Sequence, residues 1–364
     1  MRSATSTTSE GCSVFHRPCV VARRLLLVIL IVLLVNSELL AQSKPQRPDV
    51  SGKRYMTEQT LERIDRGLKW LAARQNADGA FGVGRGYGRN VGVVSLAGMA
   101  WLSSGSTPGR GPYGTQLRRT TDFILNASRS SGFITVPEGQ SHGPMYGHGF
   151  ATLFLAEVYG MSPRREIRER LEKAVHLIVS SQNREGGWRY DPSPKEADIS
   201  VTVCQIMALR AARNCGLFVP RDTVDRCIDY VRECQNDDGG FKYQLVRRSQ
   251  SQFARSAAGL VALYSAGVYE GDEISRGLNY LSTHRPNGFI DPHYYYGHYY
   301  AVQAMYQAGG DHWDNWYPRV RDQLLGDQLR DGSWTDTTFS GEYATAMALI
   351  VLQLPNNHLP IFKR

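Results

Sequence analysis

Six apolar stretches of the chain are each preceded by polar or ionisable side chains. They are Arg89 and Asn90; Tyr146 and His148; Glu196, Asp198 and Ser200; Gln252 and Arg255; Tyr295, Tyr296 and His298; and Glu342 and Tyr343. Groups of this kind converging on an apolar cavity are what a ligand site requires. Helix starts need capping groups in any case, which accounts for Asp198 and Ser200 but poorly for His148, Arg255 and His298. The run Tyr294-Tyr-Tyr-Gly-His-Tyr-Tyr300 would bring several rings to such a cavity, with Phe150, Phe154 and Trp101 as further candidates. Their π faces would stabilise a cation, and Tyr and Trp rings equally suit stacking on sugars, although core packing is the commoner role for such residues. A third chemistry needs two carboxylates, such as Asp198 and Glu342, facing each other ~5–10 Å apart for glycoside hydrolysis.

The elements that must position these groups follow from a repeated phrase. It reads Gln75-Asn-Ala-Asp-Gly-Ala-Phe81, Gln182-Asn-Arg-Glu-Gly-Gly-Trp188, Gln235-Asn-Asp-Asp-Gly-Gly-Phe241 and Gln328-Leu-Arg-Asp-Gly-Ser-Trp334. A shortened copy is His284-Arg-Pro-Asn-Gly-Phe289, and a worn one is Asn126-Ala-Ser-Arg-Ser-Ser-Gly-Phe133. The starts are 51, 56, 53, 49 and 44 residues apart, the period of a repeated supersecondary unit. An amphipathic helix precedes each phrase, as with Leu61, Ile64, Leu68 and Leu71, or Leu171, Val175, Ile178 and Val179. The Asn/Asp-Gly then stops it, because glycine takes the left-handed conformation at low cost. The following aromatic can fold back onto the helix just ended.

The second half of each unit is apolar nearly all round and rich in small residues, as in Gly92-Val-Val-Ser-Leu-Ala-Gly-Met-Ala-Trp101. Such a helix is buried, with close neighbours. Six hairpins with these helices inside predict an all-α fold, an α6/α6 barrel or toroid. An open solenoid would need polar terminal caps, and the last unit is as apolar as any.

Phrase and architecture together resemble the QW-type repeats of squalene–hopene cyclases and the related repeats of protein prenyltransferase β subunits, over roughly residues 55–355. The resemblance implies a terpenoid-cyclase-type toroid, although one fold hosts many functions. Glu196-Ala-Asp198-Ile-Ser200 lies where squalene–hopene cyclases carry Asp-x-Asp-Asp-Thr, whose middle aspartic acid protonates an alkene. Asp198 matches the donor and Glu196 stands for the first acid, while Ile199 and Ser200 replace the third acid and the threonine. Such a donor must be held neutral and desolvated. The resemblance also implies what is missing. Squalene–hopene cyclases enclose substrate between two barrels, and this chain has residues for one. Prenyltransferase β subunits hold zinc with an Asp-x-Cys pair and a later His. Here Tyr296-Gly-His298 and Glu342-Tyr343 stand instead, so no metal or other cofactor is expected.

Residues 1–41, with four arginines ahead of the 11-residue apolar run Leu25–Val35, read as a signal peptide or an N-terminal membrane anchor. Residues 42–54 follow as a linker, 55–355 as the toroid and 356–364 as a tail. Loss of 1–41 leaves 38 basic and 32 acidic residues, a charge of +6 scattered over outer helices. Two basic pairs, Arg164-Arg165 and Arg247-Arg248, stand out, and no basic stripe interleaved with aromatics suggests nucleic acid. Four cysteines remain, Cys204, Cys215, Cys227 and Cys234, without zinc-type spacing; free thiols or at most one disulfide are expected. The leading expectation is an exported protein, in the periplasm or cell envelope, that binds an isoprenoid-like apolar ligand, with acid-initiated cyclisation as its chemistry. The alternatives are a repeat scaffold for another exported protein and a glycan-active toroid enzyme.

Overall fold

The computed structural model describes residues 52–363, except 83–85, 138–140, 142, 246–248, 287 and 289–292. The expected leader, the Arg247-Arg248 pair and Phe289 therefore lie outside the described residues. Twelve helices follow: α1 (Glu58–Arg74), α2 (Val91–Ser103), α3 (Gly114–Asn126), α4 (Pro144–Met161), α5 (Arg165–Ser180), α6 (Ile199–Asn214), α7 (Arg221–Glu233), α8 (Phe253–Ala266), α9 (Asp272–Thr283), α10 (Tyr294–Ala308), α11 (Gly310–Asp327) and α12 (Gly341–Gln353). The even-numbered helices are the apolar ones, and α2, α6 and α12 are buried along almost their whole length. Each even helix packs against the even helices on either side, and α12 packs back on α2, so the inner ring is closed. The odd helices form the outer layer and bury one stripe each, such as Ile64, Leu68 and Leu71 of α1. Leu61, which the periodicity places on that stripe, is instead about half exposed (51%).

The repeated phrase builds the joints of this ring. Each Gln amide donates to the glycine carbonyl of its own phrase: Gln75 to Gly79 (3.1 Å), Gln182 to Gly186 (2.7 Å), Gln235 to Gly239 (3.0 Å) and Gln328 to Gly332 (2.8 Å). The same nitrogen reaches a carbonyl of the next outer helix: Gln116 (3.2 Å), Thr223 (2.9 Å), Glu273 (2.8 Å) and, from Gln328, Arg63 of α1 (2.8 Å). The last phrase thereby clasps the first helix. Glycine is required in the phrase for two reasons. Gly186 has φ +98°, and a Cβ there would stand 2.1 Å from the Arg226 carbonyl oxygen of α7. The aromatic folds back as expected: the Trp188 indole donates to Ile178 O (2.7 Å) and that of Trp334 to Leu324 O (2.8 Å). Its backbone N–H is received by a hydroxyl of the following inner helix, Thr202 (3.1 Å) for Trp188 and Thr345 (3.0 Å) for Trp334.

Residues 359–363 cross the C-terminal ends of the inner helices, opposite the ends where those helices begin. Leu359, Ile361 and Phe362 are buried. Arg210 of α6 donates to Tyr264 O (2.7 Å) and Lys363 O (2.6 Å), and Gln307 of α10 donates to Phe362 O (2.6 Å). Glu157, in the last turns of α4, accepts from Ile361 N at 3.2 Å, and its second oxygen is buried without a partner. Burial raises this carboxyl to about 7 from 4.5, against the opposing pull of the Ile361 N–H and Lys363. A carboxyl raised on folding contributes stability that is complete below about pH 4.5 and lost as the pH climbs through 7. The limit of that loss is roughly 3 kcal/mol, at 1.36 kcal/mol per pH unit. Glu157→Gln keeps an acceptor for Ile361 and removes the titration. Urea unfolding should find the variant more stable than the parent by up to roughly 3 kcal/mol at pH 8, with less than about 1 kcal/mol between them at pH 5. An equal difference at both pH values would mean that Glu157 does not carry the shift.

Candidate functional site

Because all six inner helices begin at one end, their first turns surround a common mouth, and a cavity of about 330 Å³ opens there. Every inner helix contributes: Asn90, Val93 and Leu96 of α2 and its cap, Tyr146 and Phe150 of α4, Ser200 of α6, Gln252, Ala254 and Arg255 at the start of α8, Tyr296 of α10, and Tyr343 and Met347 of α12. The connecting segments add Tyr87, Tyr190, Tyr243 and Phe339. Below the cavity the lumen is filled. Tyr299 and Tyr300 are fully buried with ring centroids 4.8 Å apart, and Tyr299 meets Phe150 edge to face at 5.9 Å. The Cys204 thiol lies 3.2 Å from the Tyr300 hydroxyl, and burial pushes it up to about 12. The four described cysteines are unbridged.

Of the residues expected at the mouth, Tyr296, Arg255 and Tyr343 line the cavity, as do Asn90, Tyr146, Ser200 and Gln252. His148, His298, Tyr295 and Glu342 do not, and helical phase explains why. His148 and His298 stand two residues past Tyr146 and Tyr296, so a 3.6-residue turn carries them about 200° round, to the outward side. His148 accepts from Ile134 N at 3.2 Å, filling the place that Thr202 and Thr345 fill in other repeats. Its burial lowers the imidazole to about 4. His298 is fully buried against Tyr294, Phe253 and Trp316 and is lowered to about 3, again by burial. Tyr295 is buried one position before the cavity-lining Tyr296, and Glu342 is ion-paired with Arg74 at 2.7 Å. Phe154 packs on Gly98 of α2, and the Trp101 indole approaches Leu68 O of α1 at 3.5 Å, so neither reaches the lumen.

Asp198 caps α6. Its Oδ1 accepts from Val201 N at 2.9 Å, its own N–H donates to Trp188 O, and the side chain is fully buried. Oδ2 has no hydrogen-bond partner of ordinary geometry. Burial raises the carboxyl to about 6, against the lowering effects of Val201 N–H, Arg189 and Tyr243. Asp198 lies one layer behind the cavity wall. Ile199 N donates to Tyr243 O at 3.1 Å, and the Asp198 charge raises Tyr146, Tyr243 and Tyr296 of that wall, all three already raised chiefly by burial. Glu196 is exposed and paired with Arg189 at 3.0 Å, so it does not accompany Asp198. Among the described residues no carboxylate lines the cavity and no cluster of His, Cys, Asp or Glu is placed to hold a metal.

Sequence reasoning missed Tyr87, Tyr190, Tyr243 and Phe339. A signal was present for two of them: Tyr190 and Tyr243 each stand two residues past the aromatic of their phrases, and their hydroxyls meet at 2.7 Å.

Residues 54–187 match the family model of the prenyltransferase alpha-alpha toroid domain, and residues 155–295 match that of the squalene-hopene cyclase C-terminal domain. The repeats are thus of the kind their phrase suggests. No curated protein sequence matches the chain significantly. Among solved structures it is similar to the type II terpene cyclase MstE from Scytonema, with 16% identity, a TM-score of 0.56, and 83% of this chain and 98% of that one covered. A variant of the same cyclase, in complex with its substrate geranylgeranyl dihydroxybenzoate, matches with the same identity, TM-score and coverage. The fold is shared as well with an inactive variant of the α-1,6-mannanase GH76A of Salegentibacter sp. HEL1_6, bound to α-1,6-mannotriose, at 8% identity and a TM-score of 0.55 over 82% of this chain and 99% of that one.

Proposed function

We propose that this single toroid of squalene-cyclase-type and prenyltransferase-type repeats binds an isoprenoid-like apolar ligand in the cavity at its mouth. The observation that supports this most is the cavity wall: six tyrosines and two phenylalanines, Tyr87, Tyr146, Tyr190, Tyr243, Tyr296, Tyr343, Phe150 and Phe339, around a space of about 330 Å³. That volume is at the lower end for drug-sized ligands. The filled lower lumen limits the ligand to the mouth. In the Scytonema neighbour the same fold holds a geranylgeranyl-bearing substrate. A glycan-active reading has less support, because Asp198 and Glu342, the two carboxylates it would use, both stand outside the cavity.

Native mass spectrometry of the full chain with farnesol should show one ligand per chain. Ala254→Trp, on a partly buried wall residue, should lower that affinity at least ~tenfold by filling the space. Equal binding by the variant would move the ligand elsewhere, and no binding by the parent would favour a scaffold role.

A second reading adds chemistry, and it is favoured by Asp198, a buried carboxyl with one unpartnered oxygen. In that reading Asp198 in its protonated form starts cyclisation, its proton reaching the alkene through the tyrosine wall and the rings stabilising the cation that forms. We also propose export, directed by residues 1–41. N-terminal sequencing of the protein from its own cells tests this; an intact Met1 in a soluble cytoplasmic fraction would overturn it.

A further inference from the structure

The outer wall carries a second concavity. Where α1 faces the start of α3, a groove of about 520 Å³ lies open, and it shares no described lining residue with the mouth cavity. Leu61, Ile64, Leu68 and Ala72 of α1 form one side, and Pro112 and Tyr113 form the other. The half-exposed Leu61, which belongs to the apolar stripe of α1 by its spacing, is thus the lip of a groove rather than a stray surface side chain.

The polar groups of this groove are chiefly acceptors. Gln353, at the end of α12, is 2% exposed, and its Nε2 donates to Ala100 O at 3.0 Å and to Leu349 O at 3.1 Å. Turning the amide over would set its oxygen against both carbonyls, so Oε1 is the end left over. It is buried with no partner among the described residues, and Oε1 of Gln116 in α3 is in the same state. Buried amides elsewhere, such as Gln205, also leave Oε1 unpartnered, but Gln353 and Gln116 line one space that can admit a molecule. At the rim stands Asp65, whose ion pair with Lys69 at 2.7 Å is exposed and therefore weak. Burial and the charge of Asp65 raise the Tyr113 hydroxyl to about 12, so the aromatic side stays uncharged. Two acceptors lacking donors, a carboxylate at the rim and apolar sides call for a head that only donates. A primary ammonium has three donors and no acceptor, whereas an alcohol has one donor and a carboxylate none.

We propose that this groove is a second binding site, for a small apolar molecule carrying a primary ammonium. Its hydrocarbon body lies against Leu61 and Ile64, and its ammonium donates to Gln353 and Gln116. This site stands or falls independently of the mouth cavity.

The full chain is titrated at pH 7, by ligand-observed NMR, with three probes of one skeleton: cyclohexylmethylamine, cyclohexylmethanol and cyclohexanecarboxylate. The amine should bind at least ~tenfold tighter than the carboxylate and about threefold tighter than the alcohol. Gln353→Met, close in volume, should bring the amine and carboxylate within about threefold of each other. That variant also strips the carbonyls of Ala100 and Leu349 of their donor, so thermal unfolding serves as its folding control. Gln116→Met is the second variant, on a partly buried residue whose backbone carbonyl, used by Gln75, is untouched; it should remove a smaller part of the preference. Ala72→Trp, also on a partly buried residue, should abolish binding of the amine by filling the groove. Equal binding of the amine and either other probe, a preference that survives both glutamine variants, or binding that survives Ala72→Trp overturns the inference. If no probe binds at millimolar concentration, the groove holds water only and the inference is overturned as well.

Discussion

Trp188→Ala lowers the stability of the toroid by about 3–5 kcal/mol, the usual cost of emptying a buried aromatic site. The side chain is 1% exposed, and its indole N–H holds Ile178 O at 2.7 Å, so the substitution removes both packing and a buried donor. Relaxation into the hole is restricted because the Trp188 backbone is fixed from two sides, by Thr202 through its N–H and by Asp198 through its carbonyl. Trp334 has the same partners in kind, Leu324 O and Thr345, and Trp334→Ala should cost a similar amount. The two sites share no hydrogen-bond partner, so the double variant should show the sum within about 0.5 kcal/mol in urea unfolding. A loss below about 1 kcal/mol for either single variant would show that the phrase aromatics are not the anchors of the hairpins.

The second large effect is expected at Asp198. Asparagine is as good an N-cap as aspartate, so Asp198→Asn keeps the bond to Val201 N and the start of α6. It also removes a carboxyl that is raised on folding to about 6 from 3.8. That carboxyl contributes stability in full below about pH 4 and loses it as the pH rises through 6, so above pH 7 the variant should unfold at higher urea than the parent. If Asp198 is the acid of a cyclisation, product formation from a C15 or C20 isoprenoid should fall by roughly 10²–10⁴-fold, the range for removing a general acid. Farnesol binding should stay within about twofold of the parent, since Asp198 does not line the cavity. Parent-level turnover in the variant would leave Asp198 a cap and nothing more.

The fold was legible because one phrase reports both partners of each joint. Gln182, Gly186 and Trp188 each have one place to go, and their spacing fixes the hairpin. The site was legible in position and illegible in phase. Counting residues from the start of an apolar helix finds the mouth, yet two positions separate Tyr296 in the wall from His298 behind it. An inner helix that is apolar all round carries no amphipathic stripe from which to read its rotation. Residues 359–363 gave no periodic signal at all. Their burial depends on carbonyl contacts to Arg210 and Gln307, which are about 150 and about 50 residues away in sequence, respectively.

The clasp from Gln328 to Arg63 also bears on how such a chain can change over generations. An open array can gain or lose a unit at either end, because each new unit needs only one neighbour. Here every unit needs two, and the sixth already occupies the first. Duplication of a hairpin would leave a seam that no longer meets, so the number of repeats is frozen while their sequences drift. The worn copy at 126–133, with His148 standing where other repeats use a hydroxyl, is what such drift under a fixed number produces.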